Sequence, residues 1–236
     1  MPKRGSAPPR RQPEARARKA AGADPAPRRD INFPVVAIGA SAGGLEAFRI
    51  LLRALPEKSG MAFVLVQHLD PTHASMMVDL LAPHTGMTIV EAVEGAVLVP
   101  DHVYAIPPGR YLAVRNGALK LSDPPGRPTV RMPFDFFLET LAQDCGDHAV
   151  CVILSGTAAD GAVGARAIKA AGGLVIAQDP DEAEYNGMPR NAISGGAVDL
   201  VLPLARIPRA LAEYGGHRYM RSRPRAAADA AAYPQL

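Results

Sequence analysis

The sequence predicts an α/β fold: a three-layer sandwich on a doubly wound, mostly parallel sheet with an added antiparallel hairpin. From Pro34 onward, short apolar runs alternate with helix-like segments. Strands and helices alternating at that length form parallel strands joined by right-handed crossovers. The run Val35-Val-Ala-Ile-Gly39 breaks into the small-residue turn Gly39-Ala-Ser-Ala-Gly-Gly44, and Leu45, Phe48, Leu51, Leu52 and Leu55 follow at helical spacing. That is a strand, tight turn, helix unit. Lastly, Ala96–Leu121 departs from the alternation and reads as short alternating strands around Asn116-Gly117, a hairpin turn pair.

The strands are expected at Val35–Gly39, Ala62–Gln67, Val150–Leu154, Leu174–Gln178 and Val198–Leu202, each an apolar run of strand length. Between and after them, helices are expected at Leu45–Leu55, Ser75–Ala82, Phe134–Asp144, Gly164–Ala171 and Ile207–Tyr214. The hairpin is expected to attach to the parallel sheet near an edge. With 236 residues and 48% apolar content, the chain can bury one substantial core. The organisation predicted is a disordered basic tail at 1–31, one domain at 32–216 and a second disordered basic tail at 217–236.

The net charge of +3 divides unevenly, as +6 in residues 1–31, +3 in residues 217–236 and −6 in the part between them. The N-terminal segment, rich in Pro, Arg and Ala, has too few large apolar residues to offset chain entropy. No aromatic residue interleaves its arginines for base stacking, so nucleic acid is not an expected partner. There is no apolar run of 18 residues and no signal-peptide core, which predicts a soluble, cytoplasmic protein without membrane insertion. Cys145 and Cys151 are too few for a disulfide framework and lack metal-ligand spacing. They are expected as free thiols, with no metal and no organic cofactor.

The turn at 39–44 admits two chemistries. A glycine-rich turn at a helix N-terminus can cradle a phosphate, but no tyrosine here has lysine four residues on. The second strand ends at Gln67 in the stretch Val-Leu-Val-Gln-His-Leu-Asp70 and has no acidic ribose partner at that end, and no Gly-Lys-Ser/Thr follows the turn. The other chemistry uses Gly39, Ser41 and Gly43 as Gly-x-Ser-x-Gly, whose small neighbours let a serine stand exposed in a strained turn. Such a nucleophile needs a base and a carboxylate to orient it. Among six histidines, His68 lies just beyond a strand and projects from the same end of the sheet. Asp160 lies in a Gly-rich loop between an apolar strand and a helix, where it could equally cap that helix. Asp70 and Asp179 also follow strand ends, as turn residues or as alternatives. The order Ser, His, Asp differs from that of α/β-hydrolases.

Five ordered motifs carry a resemblance: Gly39-Ala-Ser-Ala-Gly-Gly44, Gln67-His68, His102-Val-Tyr-Ala-Ile-Pro-Pro-Gly109, Leu154-Ser-Gly-Thr-Ala-Ala-Asp160-Gly161 and Gly187-Met-Pro-Arg190. Over roughly Pro34 to Tyr214 the chain resembles the catalytic domain of chemotaxis protein-glutamate methylesterases, the CheB type. It looks closest to the esterase portion of esterase and methyltransferase fusions. The resemblance implies a serine hydrolase that demethylates glutamate γ-methyl esters and deamidates certain glutamines on methylated chemoreceptors or related signalling proteins, with a receptor methyltransferase as a further partner. It implies Ser41 as nucleophile, His68 as base and Asp160 as orienting carboxylate, with Ala42, Gly43 and Thr157 around the oxyanion and the substrate. Where family members commonly carry Gly-Ala-Ser-Thr-Gly-Gly and Thr-Gly-Met-Gly-x-Asp-Gly, this chain has Ala42 and Thr157-Ala158. A basic tail stands where the usual receiver domain precedes the catalytic domain. The competing readings are a non-catalytic signalling scaffold that keeps the fold and a nucleotide-binding reductase-like module.

Overall fold

The computed structural model describes residues 31–67, 76–124 and 132–222. His68, Asp70, His73, residues 1–30 and residues 223–236 lie outside the described residues. The strands are β1 (Val35–Ala40), β2 (Ala62–Gln67), β3 (Thr88–Glu91), β4 (His102–Ala105), β5 (Tyr111–Arg115), β6 (Ala118–Ser122), β7 (Ala149–Ile153), β8 (Leu174–Gln178) and β9 (Leu200–Leu202). Seven of them form one all-parallel sheet in the order β3-β4-β2-β1-β7-β8-β9.

The helices are α1 (Gly44–Ala54), α2 (Met77–Leu81), α3 (Pro133–Cys145), α4 (Ala162–Ala170), α5 (Gly187–Ser194) and α6 (Ile207–Ser222). Side chains along a strand alternate between faces, and here the alternation fills two cores. Val36, Ile38, Phe63, Leu65 and Val152 meet Phe48 and Leu51 of α1 and Leu211 of α6. On the other face Ala37, Val64 and Ile153 meet Phe137 and Leu141 of α3 and Ile168 of α4. Strands buried on both faces must read as continuous apolar runs. That is why β1, β2, β7 and β8 were legible from sequence.

The Asn116-Gly117 turn forms as expected, with φ of 53° and 71°, the left-handed pair a type I′ hairpin requires. Its position differs from expectation. β5 and β6 make a separate two-stranded sheet, pinned on α3 by the Asp144 carboxylate, which accepts from Asn116 N–H at 2.7 Å and Gly117 N–H at 2.8 Å. Within the same expected hairpin region, His102–Ala105 instead joins the parallel sheet beside β2. The physical reason is burial: Val103 and Ala105 are fully enclosed, whereas the hairpin needs only one covered face, its Leu112, Val114 and Leu119.

β3 and α5 were not anticipated. β3 is a short edge strand with three of its four residues exposed, and α5 opens on Gly187-Met-Pro, which carries little helical signal. α6 continues to Ser222. No described helix is long and apolar enough to cross a membrane.

Cys145 and Cys151 are buried free thiols. Burial pushes Cys145 up to about 12, and it pushes Cys151 well above the usual thiol range. Since the thiolate is the reactive form, alkylation of the folded protein at pH 8 is expected to modify neither cysteine, and alkylation in denaturant both. Intact mass reads the result.

Candidate active site

The chain runs from β1 to β2 on one side of the sheet and returns through β7 to β8 on the other. The crevice between β1 and β7 is thus the topological switch point, where open α/β sheets bind ligands at the strand carboxyl ends. Ser41 follows β1 directly. Gln67, the residue before His68, pairs with Ala40, the residue before Ser41. The loop that holds Ser155, Thr157 and Asp160 leaves β7, whose Ile153 pairs with Gly39.

Backbone bonds fix the Ser41 turn. Ser41 N–H donates to the Ser155 carbonyl at 3.0 Å. The Ser41 carbonyl accepts from Gly44 N–H at 2.9 Å and from Gln67 Nε2 at 3.4 Å. In a trans peptide the N–H points opposite to the C=O, so the N–H of Ala42 is turned away from Gly44 and Gln67. Gly43 caps α1 with φ of 74°, a left-handed conformation that favours glycine.

The β7 loop presses against this turn. An ideal Cβ on Gly156 would stand 3.1 Å from Ser41 Cβ and would overlap the Met188 thioether. Only glycine lets the backbone come so close. The Gly156 carbonyl accepts from Met188 N–H at 2.9 Å, which by the same trans geometry turns Thr157 N–H away from α5. Among the described residues, no acceptor takes the N–H of Ala42 or of Thr157. Each loop thus carries one backbone donor unpaired among the described residues, next in sequence to Ser41 and to Gly156. Gly156→Ala is expected to cost about 1–3 kcal/mol of stability by overpacking and to lower any serine-dependent turnover by at least about 10²-fold, because about 1 Å of misplacement near the chemistry suffices for that. Denaturant titration and initial rates measure the two effects.

Asp160 is buried, 3% exposed. Its Oδ2 accepts from Phe134 N–H at 3.0 Å and its Oδ1 from Asp135 N–H at 2.8 Å. It thus caps α3, and the cap for its own following helix comes from elsewhere. Asp135 Oδ1 accepts from Gly161 N–H at 3.0 Å and Gly164 N–H at 2.7 Å. Two helix N-termini are capped reciprocally, α3 by Asp160 of the β7 loop and α4 by Asp135 in the first turn of α3. Burial raises the Asp135 carboxyl, against the lowering effect of these N–H donors. The Phe134 ring fills the space above Gly39 and Gly161, linking the Asp160 loop to the end of β1.

Of the sequence-predicted residues, Ser41, Ala42 and Gly43 lie on the turn after β1, and Thr157 lies on the β7 loop one residue beyond Gly156, whose backbone packs against Ser41. Asp160 lies on the same β7 loop, and His68 is outside the described residues. Asp179 is a turn residue whose Oδ1 accepts from Asp181 N–H at 3.0 Å. Three other histidines have partners elsewhere: His84 with Arg49, His102 with the Pro100 carbonyl and His148 with Asp147. Sequence reasoning missed Ser155, Gly156 and Met188 as parts of the site. The signal was their presence in the Leu154-Ser-Gly-Thr and Gly187-Met-Pro-Arg motifs.

Comparison with known proteins places this geometry. The model of the CheB methylesterase family matches residues 36–211. The chain is 38% identical over 190 residues to the protein-glutamate methylesterase/protein-glutamine glutaminase 2 of Anaeromyxobacter dehalogenans, covering 80% of this chain and 56% of that protein. It is 35% identical over 183 residues to the protein-glutamate methylesterase FrzG of Myxococcus xanthus, covering 77% of this chain and 55% of that one. The chain therefore spans just over half the length of these curated relatives. The crystal structure of the Thermotoga maritima CheB methylesterase catalytic domain superposes with a TM-score of 0.73 at 31% identity, covering all of that domain and 78% of this chain. Sheet order, serine turn, β7 loop and these similarities together show that the chain belongs to the CheB methylesterase family.

Proposed function

We propose that this chain is a serine hydrolase that removes the methyl group from glutamate γ-methyl esters on chemoreceptors or related signalling proteins, with deamidation of glutamine as a second activity. The observation that carries it is the Ser41 turn, pressed on by Gly156, with the N–H groups of the next residues, Ala42 and Thr157, unpaired among the described residues. Such a pair of fixed donors is what a developing oxyanion requires. The family relatives named as methylesterases and glutaminases supply the substrate class.

In this mechanism His68 takes the proton of the Ser41 hydroxyl as Oγ bonds to the ester carbonyl carbon, and the carbonyl electrons move onto oxygen. Asp160 orients the imidazole and favours its charged form. The oxyanion meets Ala42 N–H at the start of α1, whose dipole adds to the field, and Thr157 N–H from the β7 loop. Collapse of the tetrahedral intermediate breaks the bond to the methoxy oxygen, and His68 protonates it as methanol leaves. Water, deprotonated by His68, then attacks the acyl carbon, the bond to Ser41 Oγ breaks as His68 returns the proton to that oxygen, and the free glutamate leaves.

Side chains differ from common family members at Ala42 and Thr157, but both positions act here through backbone N–H groups that any residue but proline supplies. This favours activity over a purely scaffolding role. Buried, free cysteines fit a reducing, cytoplasmic setting. A fluorophosphonate probe tests the reading: labelling mapped to Ser41 supports it, and no labelling of folded protein sinks it in favour of the scaffold.

A further inference from the structure

We infer that Ser155 is a positioning residue for this reaction, its buried hydroxyl coupling the Ser41–Gly43 turn to the loop between β8 and α5. The inference rests on the hydrolase reading for its kinetic consequences, and its bonds stand apart from that reading. Ser155 is 2% exposed. Its Oγ donates to the Ala42 carbonyl at 2.9 Å and accepts from Tyr185 N–H at 3.0 Å. A hydroxyl has one proton to donate, and here it faces the Ala42 carbonyl. Ser155 is therefore no competing nucleophile, although it lies one residue before Gly156.

Its main chain acts on the same turn. The Ser155 carbonyl accepts from Ser41 N–H at 3.0 Å, and Ser155 N–H donates to the buried Gln178 Oε1 at 3.0 Å. Ser155 thus holds the peptide before Ser41 through its carbonyl and the peptide after Ala42 through its hydroxyl. The peptide between them, Ser41–Ala42, carries the N–H that would meet the oxyanion. With both neighbouring planes pinned, the aim of that N–H is set by the Ser155 anchor as well as by Gly44 and Gln67. The second hydroxyl bond reaches Tyr185, an exposed residue two positions before Gly187, and Gly156 N–H donates to the Tyr185 carbonyl at 2.8 Å. The loop that leaves β8 at the mouth of the crevice is by this route tied to the nucleophile turn.

Removing the hydroxyl leaves a carbonyl and an N–H without their partner. The test is steady-state kinetics on a γ-methyl ester peptide, with fluorophosphonate labelling rates, for Ser155→Ala, Ser155→Cys and Ser155→Thr. Ser155→Ala is expected to lower kcat about 10- to 100-fold with KM within about threefold, since an oxyanion donor acts more strongly in the transition state than in the ground state. Labelling of Ser41 should slow by a similar factor. Ser155→Cys, which keeps the volume with a weaker donor, should fall between, and Ser155→Thr, which keeps the hydroxyl, should return kcat to within about threefold of the parent. Unchanged kcat in both Ser155→Ala and Ser155→Cys, or a rise in KM alone, overturns the inference. If the parent protein neither turns over ester nor takes the probe, the hydrolase reading fails. Amide exchange then decides the coupling: Ser155→Ala should speed exchange at Tyr185 and Ser41 at least about tenfold, and unchanged exchange at both overturns it.

Discussion

Replacing Ser41 by alanine is expected to lower hydrolysis of a γ-methyl ester peptide by about 10⁴- to 10⁶-fold, because the members of a nucleophilic triad act as a unit and the residual rate comes from the oxyanion donors and binding alone. The structure makes this a clean substitution. The turn is held by the Ser41 N–H and carbonyl and by Gly43, none of which the side chain supplies. Ser41 is only partly buried, so the loss of one hydroxyl there should leave the thermal midpoint within about 2 °C, in keeping with the small cost of most changes away from the core. Loss of the reaction without loss of the fold is the expected pair of outcomes, read by methanol release and by thermal denaturation. Turnover of Ser41→Ala within tenfold of the parent would remove the serine from the mechanism. Binding of the methylated peptide should persist in this variant, which makes it the form in which to measure Kd.

How much of this was legible in the sequence depends on what each residue does. The central strands are buried on both faces, so their composition is forced and their positions were readable. The serine was readable because a tight turn at a strand end demands small neighbours, and Gly39, Ala42, Gly43 and Gly44 supply them; the left-handed residue of the turn is Gly43, and Ser41 itself is unstrained. The location of the hairpin was not. Nothing local in Tyr111–Ser122 says that its turn N–H groups meet Asp144, which lies 27 and 28 residues away in sequence. The same holds for Ser155, whose two hydroxyl partners lie 113 and 30 residues away. Its importance is a property of where three loops meet.

The role of Asp160 shows this limit most sharply. By sequence it stands just ahead of a helix, and the simplest reading is a cap for that helix. In the fold that cap is Asp135, and Asp160 caps α3 instead. The cap is real but non-local, and a reading confined to neighbours in sequence could not assign it. Its consequence for chemistry is that both carboxylate oxygens are held by backbone donors. That rigidity suits the role proposed for Asp160, holding the His68 imidazole in one orientation.

The pair of reciprocal caps offers a test that separates a catalytic carboxylate from a structural one. Asp160→Asn is expected to lower turnover about 10³- to 10⁴-fold, since an amide cannot hold the imidazole in the required tautomer or stabilise its charged form. It should also cost stability, about 1–3 kcal/mol, because the amide NH₂ replaces an acceptor facing a helix N–H and leaves that donor unpaired. Asp135→Ala poses the comparable structural problem at α4, since Gly161 and Gly164 N–H both donate to the single Oδ1, which an asparagine amide oxygen would replace and an alanine removes. It should cost a similar amount of stability while leaving turnover within about tenfold. The two variants should therefore match in denaturant midpoint and differ by at least about 10²-fold in kcat. If both lose stability and neither loses more than tenfold in kcat, Asp160 is a helix cap and no more, and the orienting carboxylate must be sought elsewhere on the crevice rim. If the kinetic gap appears at matched stability, the buried carboxylate of the β7 loop serves both the fold and the reaction.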